Sequence, residues 1–316
     1  MTIALVCFFC ALFMFYVTEQ REKNKMRGMF SRMVSPEVLS YMDQDPDKFA
    51  LTGVNREATM FFSDVAGFTT ISENLTPEQL VGLLNDYLTP MSDIVVETHG
   101  YLDKYEGDAI MAVWGVPYPD DEHAIQGCKA AILQQKKLDE IRPLLKEKYG
   151  VELTARMGIN SGEVSAGNMG SEQKMQYTVM GDPVNQAARY EPLNKMYDTD
   201  IIIGQSTFEQ AEKHINARLL DKMVVKGKTI PIKVYELLAF EEEISTDKQF
   251  AVDQYEKALA LHWERKFDEA LAILQETFDR EILDIPSQRL YERIKGFKEH
   301  PPVEGWQGEV FRTSKD

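Results

Sequence analysis

The chain is predicted to be an α+β protein built on a mixed sheet. Two observations carry this: between residues 56 and 240, short apolar runs of strand length alternate with stretches of helical periodicity, and several neighbouring runs are close enough to be hairpins. Hairpins join antiparallel strands, so they favour an α+β sheet over a doubly wound parallel one. With 316 residues there is room for that domain and a smaller appendage.

Taken in order, residues 3–17 form a charge-free apolar stretch, slightly short of the ~20 residues that span a bilayer. Arg21, Lys23, Lys25, Arg27 and Arg32 follow it, and no basic region precedes it as a signal peptide would require. Residues 1–18 are therefore expected to be a transmembrane helix with everything after it cytoplasmic, by the positive-inside rule. The span is expected to be the end of a longer membrane protein with an upstream sensor. Residues 19–55 read as a juxtamembrane helix, to about residue 42, and a polar linker. The main domain, 56–240, opens with a strand at 58–63. A helix at 77–97 follows, then strands at 101–106 and 109–114 around Gly107-Asp108, and a long helix at 122–148. Strands are predicted at 153–160, 163–168 and 176–179, a helix at 183–193, and further strands at 201–203, 218–225 and 230–238. Residues 241–316 form a helical tail. Tyr255, Ala258 and Leu259, then Phe267, Ala270, Leu274 and Phe278, have the spacing of one tetratricopeptide-like hairpin, which cannot bury its own face and must pack on the main domain or a partner.

Composition excludes some functions. A formal charge of −16 argues against a nucleic-acid binder, which needs clustered Lys and Arg. It does not argue against a nucleotide, which arrives with its own metal. Three cysteines make no disulfide framework; Cys7 and Cys10 lie in the apolar run and Cys128 in a helical pattern, all as packing residues.

Chemistry concentrates in four places. Phe61-Phe62-Ser63-Asp64-Val65-Ala66-Gly67-Phe68-Thr69 ends a strand in a carboxylate and turns through glycine into a helix start. Asp64 is a hard oxygen ligand for Mg²⁺ or Mn²⁺ or, more plainly, a helix cap. The amides around Gly67, Phe68 and Thr69 suit a phosphate. Asp108 either makes a hairpin turn or reaches toward Asp64, and two carboxylates sharing two divalent ions would activate a hydroxyl nucleophile. Asn185 and Arg189 are four apart on a helix begun by Asp182-Pro183, an N-cap with proline at the first position, so they share a face as a surface pair or as site residues. Lys226 lies in Val225-Lys226-Gly227-Lys228, a pattern also common in surface turns.

The Phe-Ser-Asp-Val-x-Gly-Phe-Thr string and Asp-Lys-Tyr-Glu-Gly-Asp string resemble the two metal motifs of class III adenylyl and guanylyl cyclases. The segments 156–163 (Arg-Met-Gly-Ile-Asn-Ser-Gly-Glu), 167–171 and 176–189 (Gln-Tyr-Thr-Val-Met-Gly-Asp-Pro-Val-Asn-Gln-Ala-Ala-Arg) follow in the family's order and spacing. The resemblance implies a ferredoxin-like, palm-type catalytic domain that makes cyclic AMP and pyrophosphate from ATP with two Mg²⁺ or Mn²⁺ ions per site. By the same resemblance, Asp64 and Asp108 hold metal, Lys104 and Thr178 read the base, Asn185 orients the ribose, Arg189 stabilises charge on the transferring phosphate, and Lys226 contacts the terminal phosphates. Lys104 stands where guanylyl cyclases usually carry Glu. Thr178 stands where animal adenylyl cyclases have Asp and many bacterial ones Thr, so the pair favours ATP. The family draws its metal aspartates from one protomer and the remaining groups from the other, which implies a homodimer, and a rotation passed through residues 21–55 could then open or close both sites. Two alternatives stay in view, a guanylyl cyclase and a catalytically silent signalling or dimerisation module. A diguanylate cyclase would carry a Gly-Gly-Asp/Glu-Glu-Phe hairpin, whereas here Gly107-Asp108 is followed by Ala109-Ile110.

Overall fold

In the computed structural model, residues 13–18, 20–21, 53–171, 174–224, 231–303, 306 and 308–311 are described. The chain divides into a main unit, Gly53–Gly167 with Thr178–Asp316, and a second, Met1–Thr52 with Asn168–Tyr177. In the second unit residues 13–18 and 20–21 are helical. Among the described residues no helix is long and apolar enough to cross a membrane; most of the expected span at 1–18 and most of the expected helix and linker at 19–55 lie outside them, while 53–55, expected as linker, already belong to a strand.

The main unit starts with β1 (Gly53–Val65), followed by α1 (Phe68–Glu73), α2 (Pro77–Glu97), β2 (Tyr101–Glu106), β3 (Ala109–Trp114), α3 (His123–Tyr149) and β4 (Ala155–Ser171). The strands are ordered β2-β3-β1-β4 and every pair among them is antiparallel. With α2 and α3 as its helices, this is the βαββαβ arrangement of a ferredoxin-like fold. The sheet continues through β6 (Ile201–Gly204), which is parallel to β4, to β8 (Ile232–Phe240), β7 (Ile215–Val224) and the short β9 (Glu309–Phe311), while β5 (Lys174–Met180) pairs with β4 off this path.

Both faces of the sheet are covered, as the sequence of β6 shows most simply. Successive side chains of a strand point to opposite faces. Ile201 and Ile203 accordingly join a core with Phe61, Met157 and Ile159 of the sheet, Leu83 and Met91 of α2, and Cys128 and Leu138 of α3. Ile202 joins a second core with Tyr190, Leu193 and Tyr197 of α4 (Asp182–Tyr197). The second core is completed by the C-terminal helices α6 (Thr246–Trp263), α7 (Phe267–Asp279) and α8 (Ile285–Glu299), which contribute Tyr255, Leu259, Leu274, Leu290 and Ile294. The remaining helix, α5 (Gln205–Ala211), links β6 to β7.

Several local expectations are corrected. The two strands expected at 153–160 and 163–168 are one, because β4 pairs with β1 without interruption from Ala155 to Gly167. Asp182 is the first residue of α4 rather than its cap: Gly181 is the cap, and the Asp182 carboxylate accepts from Gln186 Nε2 at 2.7 Å one turn on. Among the described residues the tail is three helices and the short β9, not a hairpin. Its third member begins at Asp284-Ile285-Pro286-Ser287, where Asp284 caps Ser287 N at 3.1 Å.

Candidate active site

The site is built first by the β2–β3 turn. Gly107 takes a left-handed conformation, φ 71°, that a side chain would oppose, and so the two strands close tightly and Asp108 is set beside the end of β1. Ser63 pairs with Ile110 across β1 and β3, which brings Asp64 level with the turn. The Val65 amide donates to Asp108 Oδ2 at 3.1 Å, and the Asp108 carboxyl hydrogen-bonds Asp64 itself. Burial, followed by the hydrogen bond and charge of Asp108, pushes the Asp64 carboxyl up to about 6. The Val65 amide and Arg156 oppose that rise, the latter from the β4 position directly across from Asp64. Two carboxyl groups this close hold a shared proton or a shared cation. Among the described residues there is no cluster of three or more His, Cys, Asp or Glu side chains suited to a metal. Two hard oxygen donors, with water and phosphate completing the shell, fit Mg²⁺ or Mn²⁺ better than a metal that needs an all-protein cage.

Beyond Asp64 the chain turns through Gly67, in the left-handed region at φ 72°, into α1. The first amides of a helix have no intrahelical acceptor and face outward. Phe68 packs partly buried against the main core, so its side chain fixes the turn and only its backbone remains for a ligand. Thr69 is exposed.

Lys104 and Thr178 come together through Asp103, a residue with no expected role. The Asp103 side chain is fully buried, with Lys104 Nζ 3.8 Å from one carboxylate oxygen and Thr178 Oγ1 donating to the other at 2.5 Å. Neighbouring residues of a regular strand point apart; here the register slips between Leu102 and Lys104, a bulge that leaves Asp103 as the extra residue. Nothing in the composition of Tyr101–Glu106 signals that bulge, which is why Asp103 escaped sequence reasoning.

Asn185 and Arg189 lie on the exposed face of α4. Asn185 Nδ2 donates to Gly181 O at 3.4 Å, and Arg189 makes no hydrogen bond or ion pair among the described residues. No hydrogen bond or ion pair joins either to Asp64 or Asp108 of the same chain. The opposite face of α4 lies flat on β4 at Gly158, where an added Cβ would come within 2.3 Å of Glu191 N and 2.4 Å of Ala187 O. Gly158 and Arg156 thus position site residues without being legible as such. Lys226 lies outside the described residues.

The comparisons with known proteins agree with this layout. Residues 53–239 match the family model described as adenylate and guanylate cyclase catalytic domain. The adenylate cyclase of Anabaena cylindrica is 38% identical over 191 residues, 58% of this chain and 37% of that protein. The crystal structure of the adenylyl cyclase CyaB from P. aeruginosa is 31% identical with a TM-score of 0.57, covering 62% of this chain and all of that one. That of the guanylyl cyclase Cya2 is also 31% identical, with a TM-score of 0.55, covering 61% of this chain and 98% of that one. The chain spans less than two fifths of the length of the curated relatives it matches. Because the matched segment is more than half of the chain and holds both the ferredoxin-like sheet and the paired carboxylates, this protein belongs to the adenylate and guanylate cyclase catalytic domain family.

Proposed function

We propose that the chain converts ATP to 3′,5′-cyclic AMP and pyrophosphate at sites shared between two copies of itself. The observation that carries this is the pairing of Asp64 with Asp108 at the end of β1, where burial together with the neighbouring Asp108 carboxyl raises the pKa of Asp64. In the reaction the ribose 3′ oxygen attacks the α-phosphorus, the 3′-OH proton is lost, and the bond to the leaving pyrophosphate breaks. Asp64 and Asp108 would hold Mg²⁺ or Mn²⁺, which when bound lowers the pKa of the 3′-OH and neutralises the α-phosphate.

The chain's own residues position and stabilise. Lys104 and Thr178 hold the base edge, Asn185 orients the ribose, and Arg189 offers a fixed fork of donors to the charge that grows on the transferring phosphate. The amides at Gly67, Phe68 and Thr69, with Lys226, take the remaining phosphates. The exposure of Asn185 and Arg189, with no hydrogen bond to the carboxylates of their own chain, supports a head-to-tail homodimer in which each site takes carboxylates from one copy and α4 from the other. The apolar run at 3–17 with its basic flank supports membrane attachment with the catalytic unit on the cytoplasmic side; full-length protein recovered wholly in the supernatant after membrane sedimentation would remove that part.

Product analysis tests the reaction. Purified protein with ATP or GTP and Mg²⁺ or Mn²⁺ is expected to release cyclic AMP in preference to cyclic GMP, and Asp64→Ala and Asp108→Ala to release neither. A preference for GTP would make it a guanylyl cyclase, and no cyclic nucleotide from a dimeric protein would leave a signalling module.

A further inference from the structure

A threonine hydroxyl carries one proton and two lone pairs, so by itself it reads a donor or an acceptor equally well. Thr178 does not have that freedom. Its hydroxyl is buried and its proton is directed to Asp103 Oδ2 at 2.5 Å, the length of a charge-assisted hydrogen bond to a carboxylate. What the hydroxyl can offer a third group is therefore a lone pair. The other Asp103 oxygen faces Lys104 Nζ at 3.8 Å, and Lys104 keeps 30% of its side-chain surface exposed while Asp103 has none. An ammonium has donors only. The bulge in β2 thus creates an ordered pair, an acceptor hydrogen-bonded to one oxygen of a single buried carboxylate and a donor within ion-pair distance of the other.

We propose that Asp103 is a positioning residue that sets base selectivity by fixing Thr178 as an acceptor and Lys104 as the donor beside it. This rests on the reading above that Lys104 and Thr178 face the base. An adenine edge presents an exocyclic amine, which donates, next to a ring nitrogen, which accepts. A guanine edge presents the reverse, a carbonyl next to a ring N–H. The Asp103-held pair matches the first and leaves two unpaired groups against the second, and an unpaired buried polar group discriminates strongly. Selectivity for ATP would then come from the direction of one proton rather than from the identity of Thr178.

The test is kcat/KM for ATP and for GTP in the wild type, Asp103→Asn, Thr178→Val and Asp103→Asn/Thr178→Val. Asn at 103 can turn its NH₂ toward Thr178 and free the hydroxyl proton to meet a guanine carbonyl. The ATP-to-GTP ratio is expected to fall about tenfold or more in Asp103→Asn, mainly through KM. It should fall similarly in Thr178→Val, and Asp103→Asn should change it no further in the Thr178→Val background. A ratio unchanged in Asp103→Asn, with both substrates slowed alike, would assign Asp103 a purely structural role and overturn the proposal. If Asp103→Asn does not fold, Thr178→Val against Thr178→Ser decides: the ratio is lost only without the hydroxyl, or the proposal falls. A wild type that forms cyclic AMP without preferring ATP overturns the selectivity device while leaving the reaction standing. A wild type that forms no cyclic nucleotide overturns the reaction, and equilibrium binding of ATP against GTP then decides for Asp103 by the same shift in ratio.

Discussion

His262 shows how a single buried residue contributes to the behaviour of the chain in acid. It is buried among the rings of Phe267, Phe297 and Trp306, with centroids at 5.7, 5.3 and 5.1 Å, and burial with the charge of Arg293 pushes its imidazole down to about 3. A base whose folded pKa is depressed contributes stability that is present above the unfolded value of 6.5 and is lost as the pH falls toward about 3. The slope from this one group is at most about 1.4 kcal/mol per pH unit. His262→Phe is expected to melt with a shallower acid dependence than the wild type across that window, and parallel curves would show that His262 does not titrate there. At the paired carboxylates Asp64 and Asp108 the expected effect is on binding: Mn²⁺ should raise the melting temperature of the wild type and not of Asp64→Ala. At this scale the pairing of Asp64 with Asp108 was legible in the sequence as one of two alternatives, because a strand end and a hairpin turn each carry a carboxylate. Asp103, Arg156 and Gly158 were not, because their roles depend on a bulge, a cross-strand register and a helix approach that no local pattern encodes.

At the scale of elements, α4 links the site to the tail. Its first half carries Asn185 and Arg189, its last turn carries Tyr197, and Tyr197 OH donates to buried Asp221 of β7 at 2.9 Å. Arg293 of α8 pairs with the same Asp221, and Arg218 of β7 joins Glu236 of β8 to Asp284 at the start of α8. Arg293→Met leaves the Asp221 charge buried without its cation and is expected to cost about 3–5 kcal/mol in denaturant unfolding. Asp221→Leu/Arg293→Met should recover most of that loss; a double variant as unstable as the single one would mean that Arg293 acts through packing alone. Gly158→Ala forces α4 off the sheet and is expected to lower turnover about a hundredfold, since small displacements of positioned groups are costly. Unchanged kcat in that variant would show that α4 is free to shift without harm. The sequence revealed most elements through periodicity but hid α5, whose seven residues bury only Thr207 and Ala211. It also split β4, because Asn160-Ser161-Gly162 reads as a turn, whereas the ladder with β1 continues through it.

The tail, at the scale of the molecule, is part of the main unit's core. Tyr255 and Leu259 of α6 lie in one core with Leu220 and Met223 of β7, Leu274, Leu290 and Ile294 of α7 and α8 complete that core, and Tyr255 OH donates to Leu220 O at 2.9 Å. A single hairpin could be read from the spacing of apolar residues; that a third helix would complete the core depends on contacts far apart in sequence. Ending the chain at residue 244 is expected to expose this core and yield insoluble protein or one with no cooperative melt, while a soluble, fully active product would make the tail dispensable. The proposed assembly of two copies brings carboxylates and α4 together across the dimer, and its most direct test is to mix two inactive proteins. Asp64→Ala and Arg189→Ala, co-refolded in equal amounts, form mixed dimers in which one site is doubly broken and the other intact. Cyclic AMP production is expected to return to about a quarter of the wild-type rate, because half the dimers are mixed and each carries one working site of two. No recovery, with mixed dimers verified by separately tagged chains, would contradict a site shared between two copies.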